Sequence, residues 1–145
     1  MKKFIAFMLV VLSAIGASAS NRIVYNDTPL PLQAKNLLSK HFKAKVNFVK
    51  IDKTLIGTVE EFEVVLKNGT EVEFDAEGGL KSVDAGSNGV PSSLLLPAIQ
   101  TYIKKNCGNQ KVVELEINKK NYKVELQDGR DLLFDRNGNF LREDR

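Results

Sequence analysis

The residues of this sequence best able to do chemistry are carboxylates that alternate with apolar residues along two predicted hairpins. The set comprises Glu61, Glu63, Glu71, Glu73 and Asp75 in the first hairpin, and Glu125 and Asp131 in the second. Successive side chains of a strand point to opposite faces, so these carboxylates share the outer side of a sheet. Crowded carboxylates can bind Ca²⁺ through oxygen ligands. They can equally form a solvated face whose charge is neutralised across strands by Lys67, Lys123 and Arg130. We expect this second arrangement, and so we predict no metal site and no cofactor.

A nucleophilic catalytic site would need His41, the only histidine, and Cys107, the only cysteine. The two residues follow the ends of two different predicted helices, whereas a nucleophile and its base must lie within hydrogen-bond reach. We therefore predict that the protein is not an enzyme and has no catalytic residues. Free cysteine is among the most buried residue types, so we expect a buried Cys107 and a monomer, with a Cys107-linked dimer as the alternative.

The same outer face carries apolar residues that suit contact with another protein. The alternation predicts that Val65, Leu133 and Phe48 point outward among the charges. An apolar row bordered by charged residues is typical of protein-contact surfaces, although one or two exposed apolar residues need no explanation. The candidate partner-binding residues are Phe48, Glu63, Val65, Glu71, Glu73, Lys123, Glu125 and Leu133.

The first nineteen residues have the composition of a signal peptide. A basic start at Lys2 and Lys3 precedes an apolar run from Phe4 to Ile15, and Ala17-Ser18-Ala19 resembles a cleavage site. A membrane anchor is the alternative, but a spanning helix needs roughly 18 apolar residues. We predict an exported protein, periplasmic or secreted, that is not membrane-associated after the signal is removed.

The charge of the chain argues against a nucleic-acid partner. Without Lys2 and Lys3 the chain holds 19 basic and 18 acidic residues, and no run of Lys or Arg forms a basic patch.

An internal repeat organises the elements that position these residues. Residues 62–84 align without a gap on residues 122–144, and 7 of the 23 positions are identical. In each copy, alternating apolar and polar residues flank Asn68-Gly69 or Asp128-Gly129, which predicts a hairpin with a two-residue type I′ turn. A second turn, 75–78 or 135–138, leads to a last strand that ends at Asp84 or Asp144.

Each copy is preceded by a predicted helix and strand. Residues 29–42 place Leu30, Ala34, Leu37, Leu38 and Phe42 on one helical face, and Asp27 or Thr28 can cap the helix before Pro29 and Pro31. The second helix is predicted over 97–106, after a short first turn. Strands are predicted over 46–51 and 112–117, and the long link at 54–60 is expected to form a hairpin tip.

These elements predict an α+β fold in which two tandem repeats, each a helix followed by antiparallel strands, share one open antiparallel sheet. We expect six to eight strands with both helices on one face, because one copy alone buries too little apolar surface to be stable. The predicted divisions are 1–19 (signal peptide), 20–84 (first repeat), 85–89 (linker) and 90–145 (second repeat).

The repeated motif resembles the PepSY-like, β-lactamase-inhibitor-like family of exported proteins known from Bacteroidetes. Phe62-Glu63-Val64, Asn68-Gly69-Thr70-Glu71-Val72 and Phe74-Asp75-Ala76-Glu77-Gly78 carry the resemblance, and 122–138 repeats it. The resemblance implies the tandem architecture just described and favours protein binding. We therefore predict a non-enzymatic module that binds a protein or peptide through its open sheet face. One form of this role would be inhibition of an exported hydrolase by steric occlusion. The alternative is an envelope accessory protein that binds a cation or glycan through its acidic face.

Overall fold

The computed structural model describes residues 21–144, so the predicted signal peptide and its cleavage site lie outside the described residues. The elements in chain order are β1 (Arg22–Val24), α1 (Leu32–His41), β2 (Val46–Lys53), β3 (Val59–Leu66), β4 (Glu71–Asp75), β5 (Leu80–Asp84), α2 (Pro97–Asn106), β6 (Val112–Ile117), β7 (Asn121–Leu126), β8 (Asp131–Asp135) and β9 (Phe140–Asp144). Short 3₁₀ turns at Gly86–Asn88 and Ser92–Leu94 precede α2. None of the helices within 21–144 is long and apolar enough to span a bilayer.

All nine strands form one antiparallel sheet in which each strand pairs with the next in the chain. The predicted joining of two sheets edge to edge is confirmed, because β5 pairs with β6 through Val83 opposite Leu115. The predicted count of six to eight strands is wrong. The additional strand is β1, whose three residues are too few to show an alternating pattern.

A single apolar core fills the space between one face of the sheet and the two helices. The predicted stripe of α1 is confirmed, since Ala34 and Leu38 are buried and Leu37 and Phe42 pack against the core. The bounds predicted for α2 are also those observed. The predicted cap of α1 is wrong: Pro31 precedes the helix without a side-chain cap. Asp27 instead belongs to an earlier turn, in which its carbonyl accepts from the Leu30 amide at 3.0 Å.

The predicted two-residue type I′ turn between β3 and β4 is wrong, because the loop there is one residue longer. Gly69 has φ +87°, but no residue other than glycine has a positive φ among the described residues, so Asn68 cannot be in a type I′ turn. The Gly69 amide donates to the Leu66 carbonyl and the Leu66 amide to the Thr70 carbonyl, which defines a three-residue loop with a bulged glycine. The Asn68 side chain favours this loop, because its Oδ1 accepts from the Thr70 amide at 3.0 Å.

The turns that follow β4 and β8 are each held by an aspartate. Asp75 Oδ1 accepts from the amides of Glu77 and Gly79 at 3.0 and 2.7 Å, and Asp135 Oδ1 accepts from those of Asn137 and Asn139, both at 2.9 Å. The repeated aspartates of these two turns therefore stabilise the turns themselves.

Candidate functional site

The helix-free side of the sheet, here called the open face, contains all eight candidate partner-binding residues. Pairing across the strands and alternation with buried residues place them there: Phe48, Glu63, Val65, Glu71, Glu73, Lys123, Glu125 and Leu133. Their neighbours along each strand point into the core, as Val64 and Val124 do.

A row of carboxylates crosses the open face from strand to strand. Starting on β4, each residue stands directly opposite the next on the neighbouring strand: Glu71, Asp84, Glu114, Glu125, Asp131 and Asp144. We call these six residues the carboxylate row. Neighbouring strands lie roughly 4.8 Å apart, and like charges directly opposite each other destabilise a sheet. The fold alone gives no reason for six such residues in succession.

Within residues 21–144, basic side chains form ion pairs beside the carboxylate row and with Asp131, but none with the middle of the row. Lys50 Nζ lies 2.8 Å from Glu63 and Lys81 Nζ 2.6 Å from Glu61, while Lys123 Nζ lies 3.4 Å from Asp131.

Arg130, which we expected to neutralise the sheet carboxylates, instead contacts Asp128 at 2.9 Å and Glu143 at 3.5 Å. Among the described residues, no ion pair involves Glu71, Asp84, Glu114 or Glu125. The predicted neutralisation is therefore partial, because the charges of Lys50 and Lys123 oppose the raised pKa values of Glu71 and Glu114 without forming an ion pair with them.

This arrangement raises the pKa of the central carboxyls. Glu114 has its pKa raised to about 7, first by burial, then by the charges of Asp84 and Glu125 and by a hydrogen bond with Glu125. Burial is also the largest cause of the raised pKa values of Glu71, Glu73 and Asp84. Raised carboxyl pKa values record an unfavourable environment for negative charge, which an external cation would relieve.

One end of the open face is apolar and aromatic. Phe48 stands opposite Val65, and the Tyr25 ring approaches Phe48 edge-on with centroids 6.4 Å apart. Leu133 lies on β8, five strands from Val65 and so roughly 24 Å away. The expected apolar row containing both residues is therefore wrong, because the carboxylate row separates them.

The open face has little concavity within the described residues. A depression between Glu71, Glu73, Ser82, Asp84 and Glu114 holds about 10 Å³, which is room for one water molecule. A face of this shape suits a macromolecular partner better than a small organic ligand. No group of three or more acidic, histidine or cysteine side chains in 21–144 is arranged to hold a metal ion.

The hairpin between β2 and β3 extends this surface with two exposed aliphatic residues. The predicted tip is confirmed as a hairpin: the Thr54 amide donates to the Thr58 carbonyl at 2.8 Å, and Gly57 takes φ +85°. Leu55 and Ile56 are 72% and 89% exposed. A closed turn therefore presents two apolar side chains to solvent.

His41 and Cys107 have different neighbours and form no common site. His41 Nδ1 lies 2.7 Å from Ser93 Oγ, and burial followed by the Lys40 charge lowers the histidine pKa. Cys107 is buried, as predicted, and burial raises its thiol pKa. A serine nucleophile requires a histidine base that a third group orients. No carboxylate lines the groove beside His41 in the described part of the chain.

Residues 60–142 match the family described as "Putative beta-lactamase-inhibitor-like, PepSY-like". The chain belongs to this family. A solved structure of a "putative periplasmic protein of unknown function" from Bacteroides vulgatus is 33% identical to this PepSY-like chain. The alignment covers 86% of this chain and 99% of the solved chain, with a TM-score of 0.79. No curated protein matches the chain with significance.

Two further solved structures are similar to this PepSY-like chain. One is named a "putative calcium-regulated periplasmic protein" from Bacteroides thetaiotaomicron. It is 31% identical, and the alignment covers 86% of this chain and 97% of the solved chain, with a TM-score of 0.79. The other is named a "putative periplasmic protein from DUF2874 family" from Bacteroides vulgatus. It is 25% identical, and the alignment covers 89% of this chain and all of the solved chain, with a TM-score of 0.78. These relatives support export to the periplasm, and none is described as an enzyme.

Sequence reasoning missed three of the six residues of the carboxylate row, Asp84, Glu114 and Asp144. Asp84 and Glu114 were not among the candidate carboxylates, because only the pairing of β5 with β6 brings them opposite each other. Tyr25, which follows strand β1, was also missed. The alternation of Glu114 with Val113 and Leu115 was the one local signal that could have indicated Glu114.

Proposed function

We propose that this protein is a non-enzymatic periplasmic binding module, built from two tandem copies, whose open face holds a protein or peptide segment rich in Lys and Arg. The carboxylate row carries the proposal, because its central members Glu71, Asp84, Glu114 and Glu125 are adjacent, partly buried and without an ion pair in the described chain. Basic side chains laid across the strands would supply the missing countercharge and return the carboxyl pKa values toward their ordinary range.

The apolar parts of the surface would supply contact area beside this charge. Phe48 and Val65 at one end, and Leu55 and Ile56 at the hairpin tip, are the residues suited to apolar contact. Apolar contact area beside charged groups is a common composition of protein–protein interfaces. If the partner is an exported hydrolase, a flat face of this size would inhibit it by covering its active-site entrance.

The test uses a variant that neutralises the row without changing its shape, Glu71→Gln, Glu114→Gln and Glu125→Gln. Its binding to a fluorescent peptide of alternating Lys and Leu is measured by anisotropy at low and physiological salt. Three lost charge pairs at about 0.5 to 1 kcal/mol each predict roughly 10- to 100-fold weaker binding. The wild-type affinity should also fall as salt rises.

The matched control removes three exposed carboxylates elsewhere, Asp27→Asn, Glu60→Gln and Glu77→Gln, and so has the same net charge. Binding by the control should equal that of the wild type. Equal loss in both variants would mean that net charge, rather than the open face, attracts the peptide. Pull-down from an envelope fraction with the same pair of variants would then identify the partner, and the partner's activity would be assayed with and without the protein.

A second candidate function is binding of Ca²⁺, which the name of the Bacteroides thetaiotaomicron relative favours. The carboxylates are oxygen donors of the type that Ca²⁺ prefers, but side chains would have to move, since no described group is arranged around a common point. A rise in Tm with CaCl₂ and not with MgCl₂, lost in the Glu71, Glu114, Glu125 variant, would favour the ion over the peptide.

A further inference from the structure

A groove of about 470 Å³ lies at the end of the sheet, where the C-terminus of α1, the β3–β4 turn and the segment before α2 meet. Its volume falls within the roughly 300 to 1,000 Å³ typical of ligand sites, which often form where two halves of a chain meet. It shares no lining residue with the carboxylate row. Its role is therefore independent of the proposed function of the open face.

The groove has the opposite charge from the open face. Lys43 and Lys111 line it, and no Asp or Glu lies among its lining residues in the described chain. Lys111 is held in position by two contacts. Its Nζ donates to the Ser87 carbonyl at 3.0 Å. Its aliphatic stem packs against Gly89 so closely that a Cβ added to Gly89 would lie 2.8 Å from Lys111 Cδ. A positioned cation on one wall and an exposed lysine on another favour an anionic ligand.

The wall of the groove contains a hydroxyl that forms no hydrogen bond with the described chain. Thr70 as a residue is only 2% exposed and lines the groove, and no hydrogen bond is made by its hydroxyl within the described residues. A hydroxyl can donate one hydrogen bond and accept two, so this group is available to a ligand in the groove. Asn88 lies beside it, where its Nδ2 donates to the Asn68 carbonyl at 3.0 Å.

The second half of the chain does not repeat these features. Arg130 occupies the position aligned with Thr70, and it is paired with Asp128 and Glu143. The Thr70 hydroxyl is therefore not a requirement of this type of turn.

We propose that the groove binds a small anionic ligand that also carries hydroxyl groups, of the sugar-acid class. Lys43 and Lys111 would meet the carboxylate, while Thr70 would hydrogen-bond a ligand hydroxyl. The Phe42 ring, which also lines the groove, offers an apolar surface to the C–H groups of a sugar ring.

The experiment is a two-dimensional NMR titration of the ¹⁵N-labelled protein with glucuronate. We expect saturable shifts of the Thr70 and Asn88 amides, and none from glucose at the same concentration. Inorganic phosphate serves as a second probe. Phosphate that binds as tightly as glucuronate would overturn the sugar-acid assignment. Weak ligands have dissociation constants on the order of 1 mM, so the titration extends to about 20 mM glucuronate. Absence of saturable shifts over that range would overturn the site.

Variants locate the site. Lys111→Met keeps the unbranched stem over Gly89 and removes the charge, and Thr70→Val keeps the shape and removes the hydroxyl. Each should weaken glucuronate binding roughly tenfold, the effect of one good hydrogen bond or charge pair. Lys45→Met removes an exposed lysine outside the groove and should have no effect. Equal affinities for all three variants, each with a native-like spectrum, would overturn the proposal.

Discussion

Replacing Glu114 by Gln should stabilise the protein at neutral pH and leave its stability unchanged in acid. Glu114 has its pKa raised to about 7 from 4.5 in an unfolded chain, chiefly by burial. The glutamine amide is neutral at every pH, and it can donate to Glu125 as the protonated carboxyl does.

The magnitude follows from linkage between protonation and folding. A shift from 4.5 to about 7 would correspond to about 3.4 kcal/mol at 1.36 kcal/mol per pH unit. Because Glu114 is only partly buried, solvent screening reduces this figure, and we expect about 1.5 kcal/mol. The stabilising effect of the raised pKa is fully present below pH 4.5 and lost as pH rises to about 7. The wild type should therefore lose stability over that interval, and Glu114→Gln should not.

The assay is urea unfolding followed by circular dichroism at pH 4.5, 6.0 and 8.0. The variant should equal the wild type at pH 4.5 and exceed it by about 1.5 kcal/mol at pH 8.0, a rise in Tm of roughly 3 to 6 °C. The control is Glu63→Gln, which removes a carboxylate paired with Lys50 at 2.8 Å and should be neutral or slightly destabilising. The reasoning is refuted if the two variants are equally stabilised at pH 8.0, or if the Glu114 variant shows no gain there.

Two further predictions concern the packing of the helices. Gly138→Ala should destabilise the protein by about 2 to 4 kcal/mol in the same urea assay. The reason is that φ at Gly138 is +85° and an added Cβ would lie 2.9 Å from the Ala98 Cβ of α2. The control is Gly129→Ala, where φ is +89° but the space around the added Cβ is open, and it should cost only about 1 to 2 kcal/mol. Cys107 should react with Ellman's reagent only as fast as the protein unfolds, since the thiol is buried and its pKa is raised; rapid reaction in native buffer, or a disulfide-linked dimer on a non-reducing gel, would contradict this.

Local patterns predicted the elements that depend on neighbours in sequence. The bounds of α2 follow from Pro97 at its first turn and the end of its apolar stripe at Ile103. The core-facing residues of the hairpins follow from strict alternation around Asn68-Gly69, because a slip of one residue would expose Phe62 and Phe74.

The remaining features depend on contacts between distant segments. The carboxylate row arises from the pairing of Asp84 with Glu114, thirty residues apart, which no local pattern specifies. The loop type was missed because Asn-Gly suits both a two-residue turn and a three-residue turn with a bulged glycine. The hydrogen bond from the Thr70 amide to the Asn68 side chain favours the second.

The pairing of each strand with its successor also bears on how the chain folds. Six of the eight pairings in residues 21–144 join strands separated by only three to five residues, while β1–β2 and β5–β6 enclose a helix. Such a topology has a low contact order for a sheet protein, which favours rapid folding because little loop-closure entropy is lost before contacts form. A chain that crosses a membrane N-terminus first could therefore build the sheet strand by strand as it emerges. Only β1 and β5 would have to wait for a partner beyond a helix, and the outer edge of β5 stays open until α2 and β6 arrive. We expect that edge to be the point at which a translocation intermediate is most vulnerable to aggregation.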